Sequence, residues 1–265
     1  MYRTIVVYFE QFERVPQISA VSFELAKRFD ARLVGLFLHQ RSQDRGTGNL
    51  LSDEAVKSAQ NFFERTSHQN GIKAELHQIM PGRLSLTNLL LPYARCADLI
   101  VMDDGFRDDG AELVEIPIRT AIESGRPTVV LPSKDLPSKV GQRILIAWNG
   151  SREAARAVFD ALPFLKSATT IQIISIATGA KAVAPSAGGR SIARSLAQHG
   201  VQCKVDTIAG SGLSIGNALL RCMEEGEFDL MVMGCYGRSQ IEEYVFGGVT
   251  RHIMSHLSVP VFLSH

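Results

Sequence analysis

Apolar residues in this chain fall into short unbroken runs, and the segments between the runs carry them every three or four positions. Residues 4–9 (TIVVYF) and 143–148 (RILIAW) are runs of the first kind, followed by helical periodicity over 18–29 and 152–162. Further runs follow at 32–38 and 170–176. An unbroken apolar run of this length is what a strand buried on both faces requires, and alternation of such strands with helices predicts a parallel sheet covered on both sides. The pattern is written twice. Ala97-Asp98-Leu-Ile-Val-Met102 matches Phe228-Asp229-Leu-Met-Val-Met233, and each half closes on a proline followed by a strand, at Pro127 and Pro260. Asp98 stands 29 residues before Pro127, and Asp229 stands 31 before Pro260.

Two prolines, two serines and a glycine within 131–141 mark a linker between the halves. The expected organisation is a domain over 1–132, a linker over 133–141 and a second domain over 142–265. The fold class is α/β, with two tandem open, mostly parallel five-stranded sheets and helices on both faces. In the second half strands are expected near 143–148, 170–176, 202–208, 229–233 and 260–263, with helices near 151–162, 188–199, 213–225 and 240–256. Ligands of such sheets bind beyond the carboxyl ends of the strands, where the strand order switches. The loops at Asn149, after Ile176 and after Met233 would meet there. The closing strands, 128–131 and 260–263, are candidates to pair edge to edge, because an open edge invites association.

Composition narrows the function. The chain has 265 residues, 45% hydrophobic and 21% charged, with a net charge of +1. That is a globular balance, with no basic surplus for nucleic acid. No run approaches the roughly 18 apolar residues of a membrane span, and no secretory leader is written, so the cytoplasm is the expected location and no membrane partner is expected. Cys96, Cys203, Cys222 and Cys235 form no paired motif for zinc or redox chemistry. The first three read as small core residues. Cys235 lies inside a glycine loop, where its thiol is expected to be accessible.

That loop carries the chemistry. The run ending at Met233 passes into Gly234-Cys-Tyr-Gly237, nine residues follow, and then comes Gly247-Gly248-Val249-Thr250. Glycines at a strand end and beside a helix let bare backbone N–H groups approach phosphate. The pattern resembles the nucleotide site of the universal stress protein family, over about 142–265 and only in outline before that. The resemblance implies a Rossmann-like fold of the adenine nucleotide alpha hydrolase type, with ATP, ADP or AMP as bound ligand. By that resemblance Ala147, Asn149 and Ile176 line the adenine and ribose, with Ile176 in the adenine pocket. Met233, Gly234 and Gly237 pass close to the ribose and phosphates, and Arg238 offers charge. Gly247, Gly248, Val249 and Thr250 donate to the phosphates.

Two positions depart from the family. Asn149 stands where an acid is usual, and an amide is a poorer ligand for a hard cation, which weakens the case for magnesium. Gly248 stands where Ser or Thr is usual, which removes a hydroxyl worth about 1 kcal/mol. Read without the resemblance, Asn149-Gly-Ser151 is a turn followed by a helix N-cap.

The first half breaks the site. Asp103-Asp104-Gly105-Phe106 replaces the first glycines, Asp108, Asp109, Glu112 and Glu115 follow, and Pro117 removes a donor near the second cluster. Carboxylates where a triphosphate would sit repel it, so ligand is expected in the second half only. The acidic loop is expected to be solvated. The reading is an ATP-binding stress-response regulator whose two halves form an intramolecular pseudo-dimer, with a further homodimer possible. A nucleotide-free interaction protein of the same fold is the alternative, and a slow ATPase or a serine hydrolase ranks below both.

Three other patterns are weaker. Gly212-Leu-Ser214-Ile-Gly216, with Asp229 and His252 downstream, fits a hydrolase nucleophile elbow, but the preceding strand stops too early for it. Gly210-Ser-Gly212-Leu-Ser-Ile-Gly216 misses the dinucleotide fingerprint by one position. His252 and His256, four apart on a helix, have no third metal ligand beside them.

Overall fold

A computed structural model describes residues 1–9, 12–38, 53–79, 84–104, 115–134, 136–137, 139–177, 184–209, 214–235 and 248–265. In the first half, strands β1 (Thr4–Phe9), β2 (Arg32–Leu38), β3 (Ala74–Ile79), β4 (Leu99–Asp103) and β5 (Thr128–Leu131) alternate with helices α1 (Val15–Phe29), α2 (Asp53–Asn70), α3 (Leu86–Ala94) and α4 (Glu115–Ser124). In the second half, strands are β6 (Arg143–Ala147), β7 (Thr170–Ala177), β8 (Lys204–Ala209), β9 (Leu230–Gly234) and β10 (Val261–Ser264). Their helices are α5 (Arg152–Asp160), α6 (Leu162–Ser167), α7 (Ala184–Gln198), α8 (Ile215–Glu225) and α9 (Val249–Ser255). The segment expected to be helical over 151–162 instead stops at Asp160 and restarts as α6, with Pro163 in the first turn of the new helix, where its missing N–H costs nothing. Of the helix expected over 240–256, residues 240–247 lie outside the described residues.

Both halves have the same strand order, and each is parallel throughout. They join through β5 and β10 into one ten-stranded sheet, β3-β2-β1-β4-β5-β10-β9-β6-β7-β8. The joining pair is antiparallel, with Val261 opposite Val130 and Phe262 opposite Val129. The two edges that would otherwise be open therefore satisfy each other, as the sequence suggested.

The halves also share cores on both faces. On one face Tyr2 and Phe29 pack on Phe164, with ring centroids 5.8 and 5.0 Å away. The Tyr2 hydroxyl donates to Asp160 O at 2.5 Å across the seam. Burial, with Asp160 and Asp98 nearby, pushes that phenol well above its ordinary pKa. On the other face Ile118 and Ala121 of α4 belong to the same cluster as Met231, Ile253 and Leu263 of the second half. The expected linker is part of this packing: Val140 is fully buried, and its carbonyl accepts from Arg28 Nη1 at 2.7 Å.

The repeated aspartates have a backbone task. Asp229 accepts from the N–H groups of Gly141, Gln142 and Arg143, each at 3.0 Å, and so ties down the entrance to β6. Asp98 does the same for Arg3 and Thr4 at 2.8 and 3.0 Å. Both carboxylates stand at the amino ends of the strands, opposite to the end where the fold places ligands.

Candidate functional site

The strand order of the second half reverses at β6, which lies between β9 and β7. The crevice beyond the carboxyl ends of β6 and β9 is thus the switch point. Ala147 closes β6. Ile176 lies near the end of β7, in register with Ile208 of β8. With Ile215 at the start of α8 and Val249 at the start of α9, they form a half-buried apolar rim on the second-half core. Met233 points into that core and is buried.

Asn149 stands exposed just past β6, and its Oδ1 accepts from the Ser151 N–H at 3.0 Å. Gly150 between them has φ +77°, a conformation that side chains resist. Ser151 then caps α5, its hydroxyl accepting from the Ala154 N–H at 3.1 Å. Turn and cap are both present, so the oxygen of Asn149 already holds one hydrogen bond within the turn.

Gly234 has a reason the sequence did not disclose. A Cβ there would lie 2.5 Å from Ala154 N and 2.6 Å from Glu153 C, both backbone atoms of the first turn of α5. The glycine lets that helix start press against the end of β9. Cys235 follows fully buried, its carbonyl oxygen 2.7 Å from His265 Nδ1, which corrects the expectation of an accessible thiol. Gly248 is the N-cap of α9, and no side chain caps that helix. Thr250 is buried, so its hydroxyl does not simply face solvent. Gly237, Arg238 and Gly247 lie outside the described residues.

One residue beside Gly234 escaped the sequence reading. Glu153, in the first turn of α5, is only 3% exposed. Its Oε1 accepts from Arg152 Nε, while Oε2 is enclosed and has no hydrogen-bond partner. Burial pushes the carboxyl up, but the Arg152 guanidinium beside it outweighs this and holds it below the ordinary range. A charged residue at a position that helical periodicity assigns to the core was the available signal.

The equivalent place in the first half is filled from within. Asp103, which takes the position of Gly234, is buried and pairs with Arg14 at 3.4 Å. Arg14 also donates to Pro132 O at 2.7 Å, and Asp104 accepts from the Ser133 N–H at 2.9 Å. These two acids are buried and partnered, which corrects the expectation that this part of the acidic stretch is solvated. Glu115 reaches across the seam to Arg251 of α9 at 2.7 Å. Asp108, Asp109 and Glu112 lie outside the described residues.

The hydrolase alternative fails on geometry. Ser214 is the N-cap of α8, accepting from the Asn217 N–H at 3.2 Å. His252 Nε2 lies 2.7 Å from Asn217 Oδ1, and Asp229 is at the opposite end of β9. His252 and His256 stack at 4.5 Å, and among the described residues no group of three or more His, Cys, Asp or Glu is placed to hold a metal. A groove of about 490 Å³ runs along α2 past Lys57, Phe62 and Arg65, but it is remote from the switch point and its described lining belongs to α2 alone. No helix among the described residues is long and apolar enough to cross a membrane.

Residues 141–265 match the model of the universal stress protein family. No curated protein matches the chain. Among solved structures, a universal stress protein from Archaeoglobus fulgidus DSM 4304 is 17% identical with a TM-score of 0.72, covering 98% of this chain and 95% of that one. A Pseudomonas aeruginosa UCBPP-PA14 protein assigned to the same family gives 15% and 0.67, with coverages of 99% and 93%. The cytoplasmic domain of a prokaryotic cation chloride cotransporter gives 13% and 0.55, with coverages of 99% and 95%. At these identities the likenesses show a shared fold.

Proposed function

We propose, for a chain whose residues 141–265 belong to the universal stress protein family, that it is an adenine-nucleotide-binding regulatory protein with its one site in the second half. The observation that carries this reading is the half-buried apolar rim of Ala147, Ile176, Ile208, Ile215 and Val249 at the switch point. An apolar wall beside a few fixed polar groups is the usual composition of a small-molecule site. Adenine would lie on that rim, near the exposed Asn149. The phosphates would take backbone N–H groups at Gly234, Gly237, Gly247, Gly248 and Val249, with charge from Arg238. A bound nucleotide supplies a regulatory signal there, and no residue of the site is assigned a catalytic role.

The fit is uneven. Asn149 and the uncapped start of α9 suit such a ligand. Thr250 is turned inward, and Gly234 is demanded by α5 whether or not a ligand binds, which favours the second reading of a nucleotide-free interaction protein. The pair Arg14–Asp103 supports a single site, because it fills the corresponding crevice of the first half. The pairing of β5 with β10 supports an intramolecular pseudo-dimer.

The test is to release any copurifying small molecule by acid and weigh it by mass spectrometry. About one adenine nucleotide per chain supports the proposal, and two per chain overturns the single-site assignment. No nucleotide, together with no rise in melting temperature at millimolar ATP, moves the reading to the interaction protein. Occupancy at a hundred times Kd stabilises by about 2.7 kcal/mol, so a true binder cannot hide in such a scan. Gly237→Asp is expected to abolish ATP binding at unchanged melting temperature, and equal affinity in variant and wild type removes the loop from the site.

A further inference from the structure

The strand ends of the second half form one row on the face that carries the apolar rim. Ile208 of β8, Ile176 of β7, Ala147 of β6 and Cys235 just past β9 all belong to the cluster on that face, in the order in which the strands pair. β10 is next in that order, and its Val261 and Leu263 are buried in the same cluster. Side chains alternate along a strand, so His265 turns to that face as well. Ser264 pairs with Gly234, and the Cys235 N–H donates to Ser264 O at 2.8 Å, which sets His265 beside the start of the glycine loop. The imidazole leans over the end of β9, where its Nδ1 lies 2.7 Å from Cys235 O. A carbonyl oxygen only accepts, so Nδ1 carries the proton and Nε2 keeps its lone pair. Among the described residues Nε2 has no hydrogen-bond partner, and His265 is only half-buried.

We propose that His265 Nε2, in the protonated ring, is a contact for the phosphates of the bound nucleotide, an inference that rests on the nucleotide-binding reading above. With the nucleoside on the β6–β8 part of the row, phosphates at Gly234 lie one strand spacing, about 4.8 Å, from β10. Neutral Nε2 and a phosphate oxygen are both acceptors. A proton on Nε2 converts that mismatch into a charge-assisted hydrogen bond. The bond from Nδ1 to Cys235 O is unchanged by that proton, so the ring is held in place in both states. The charged groups around it are mostly committed elsewhere. Glu123 of α4 pairs with Arg119, and Arg251 of α9 pairs with Glu115. Asp160, on the opposite face, accepts from Arg156 and Ser264. Arg126 adjoins from the start of β5, where Thr128 pairs with Leu263, and its Nε donates to Arg95 O. The Cys235 thiol beside the ring is buried. Among the described residues no carboxylate pairs with His265, so a phosphate supplies the anion that the charged ring lacks.

The experiment measures ATP and adenosine binding by calorimetry at about pH 5.5 and about pH 8, on either side of the range in which imidazole titrates. It uses the full chain and His265→Asn, whose amide still offers a donor to Cys235 O but has nothing at the Nε2 position. The terminal phosphate titrates near pH 6 as well, but equally for both proteins, so it cancels in their comparison. A hydrogen bond to a charged group corresponds to roughly tenfold or more in affinity. At the acid pH wild type is therefore expected to bind ATP at least about tenfold more tightly than the variant, with the gap closing at the alkaline pH and adenosine bound equally by both. The same ATP affinities in wild type and variant at both pH values overturn the inference and leave the nucleotide reading standing. Equal weakening of ATP and adenosine in the variant also overturns it, and makes His265 only an anchor for the Cys235 carbonyl. Binding of neither ligand by wild type overturns the nucleotide reading and this inference with it. If His265→Asn does not fold, His265→Gln, which is neutral at both pH values, takes its place in the same comparison.

Discussion

Replacing Gly234 with Ala should cost stability before it affects any ligand. The added methyl would stand 2.5 Å from Ala154 N and 2.6 Å from Glu153 C. Ordinary carbon contacts lie at about 3.5–4 Å, so β9 and α5 must separate by roughly 1 Å. The obstructing atoms are backbone, so no rotamer change relieves them. Overpacking costs about 1–3 kcal/mol, and rigid neighbours place this site near the upper end. Loss of unfolded-chain freedom on going from Gly to Ala returns about 0.4–1 kcal/mol. The net expectation is a destabilisation of about 2 kcal/mol, or a melting temperature lower by roughly 4–8 °C. Thermal and urea unfolding followed by circular dichroism would read it. Gly189→Ala is the control, because its Cβ would meet only side chains, with Val205 Cγ1 nearest at 3.0 Å. Stability within about 0.5 kcal/mol of wild type for Gly234→Ala, combined with loss of nucleotide binding, would refute the reasoning and assign the glycine to the ligand.

Asp103→Ala should leave Arg14 enclosed without its carboxylate, at a cost of about 3 kcal/mol in unfolding free energy, and should create no second nucleotide site by calorimetry. A stable variant with two sites would show that the buried pair is a plug on a working crevice. Residues 142–265 expressed alone should self-associate, because β10 loses its partner and Phe164 loses Tyr2 and Phe29. Size-exclusion chromatography with light scattering checks this, and a stable monomer would show that the shared cores are dispensable.

The sequence by itself determined the strands, the repeat and the class of fold. Runs such as Val6-Val7-Tyr8 and Leu230-Met231-Val232 have no polar side to offer water, so they must lie inside a covered sheet wherever the chain places it. It also determined the Asn149-Gly150-Ser151 turn and cap, since those interactions span only two or three residues. The repeated Asp98 and Asp229 were visible as a pattern, but their purpose was not, because their partners lie 94 or more residues and 86 or more residues away in the chain respectively.

Tertiary structure alone decided the rest. Whether Asp103 is solvated or buried depends on Arg14 and Pro132, which adjoin it only when β4, β5 and the start of α1 meet at one end of the sheet. Whether Gly234 serves a ligand or a helix depends on how closely α5 approaches β9. Glu153 is buried because of the helix face on which it falls and the strand end that face covers, which only the packing of α5 on β9 decides. Local bonding and hydrophobic periodicity are short-range and so can be read along the chain. Burial and close approach arise between segments far apart in sequence, and at this crevice they set which groups are left without a partner.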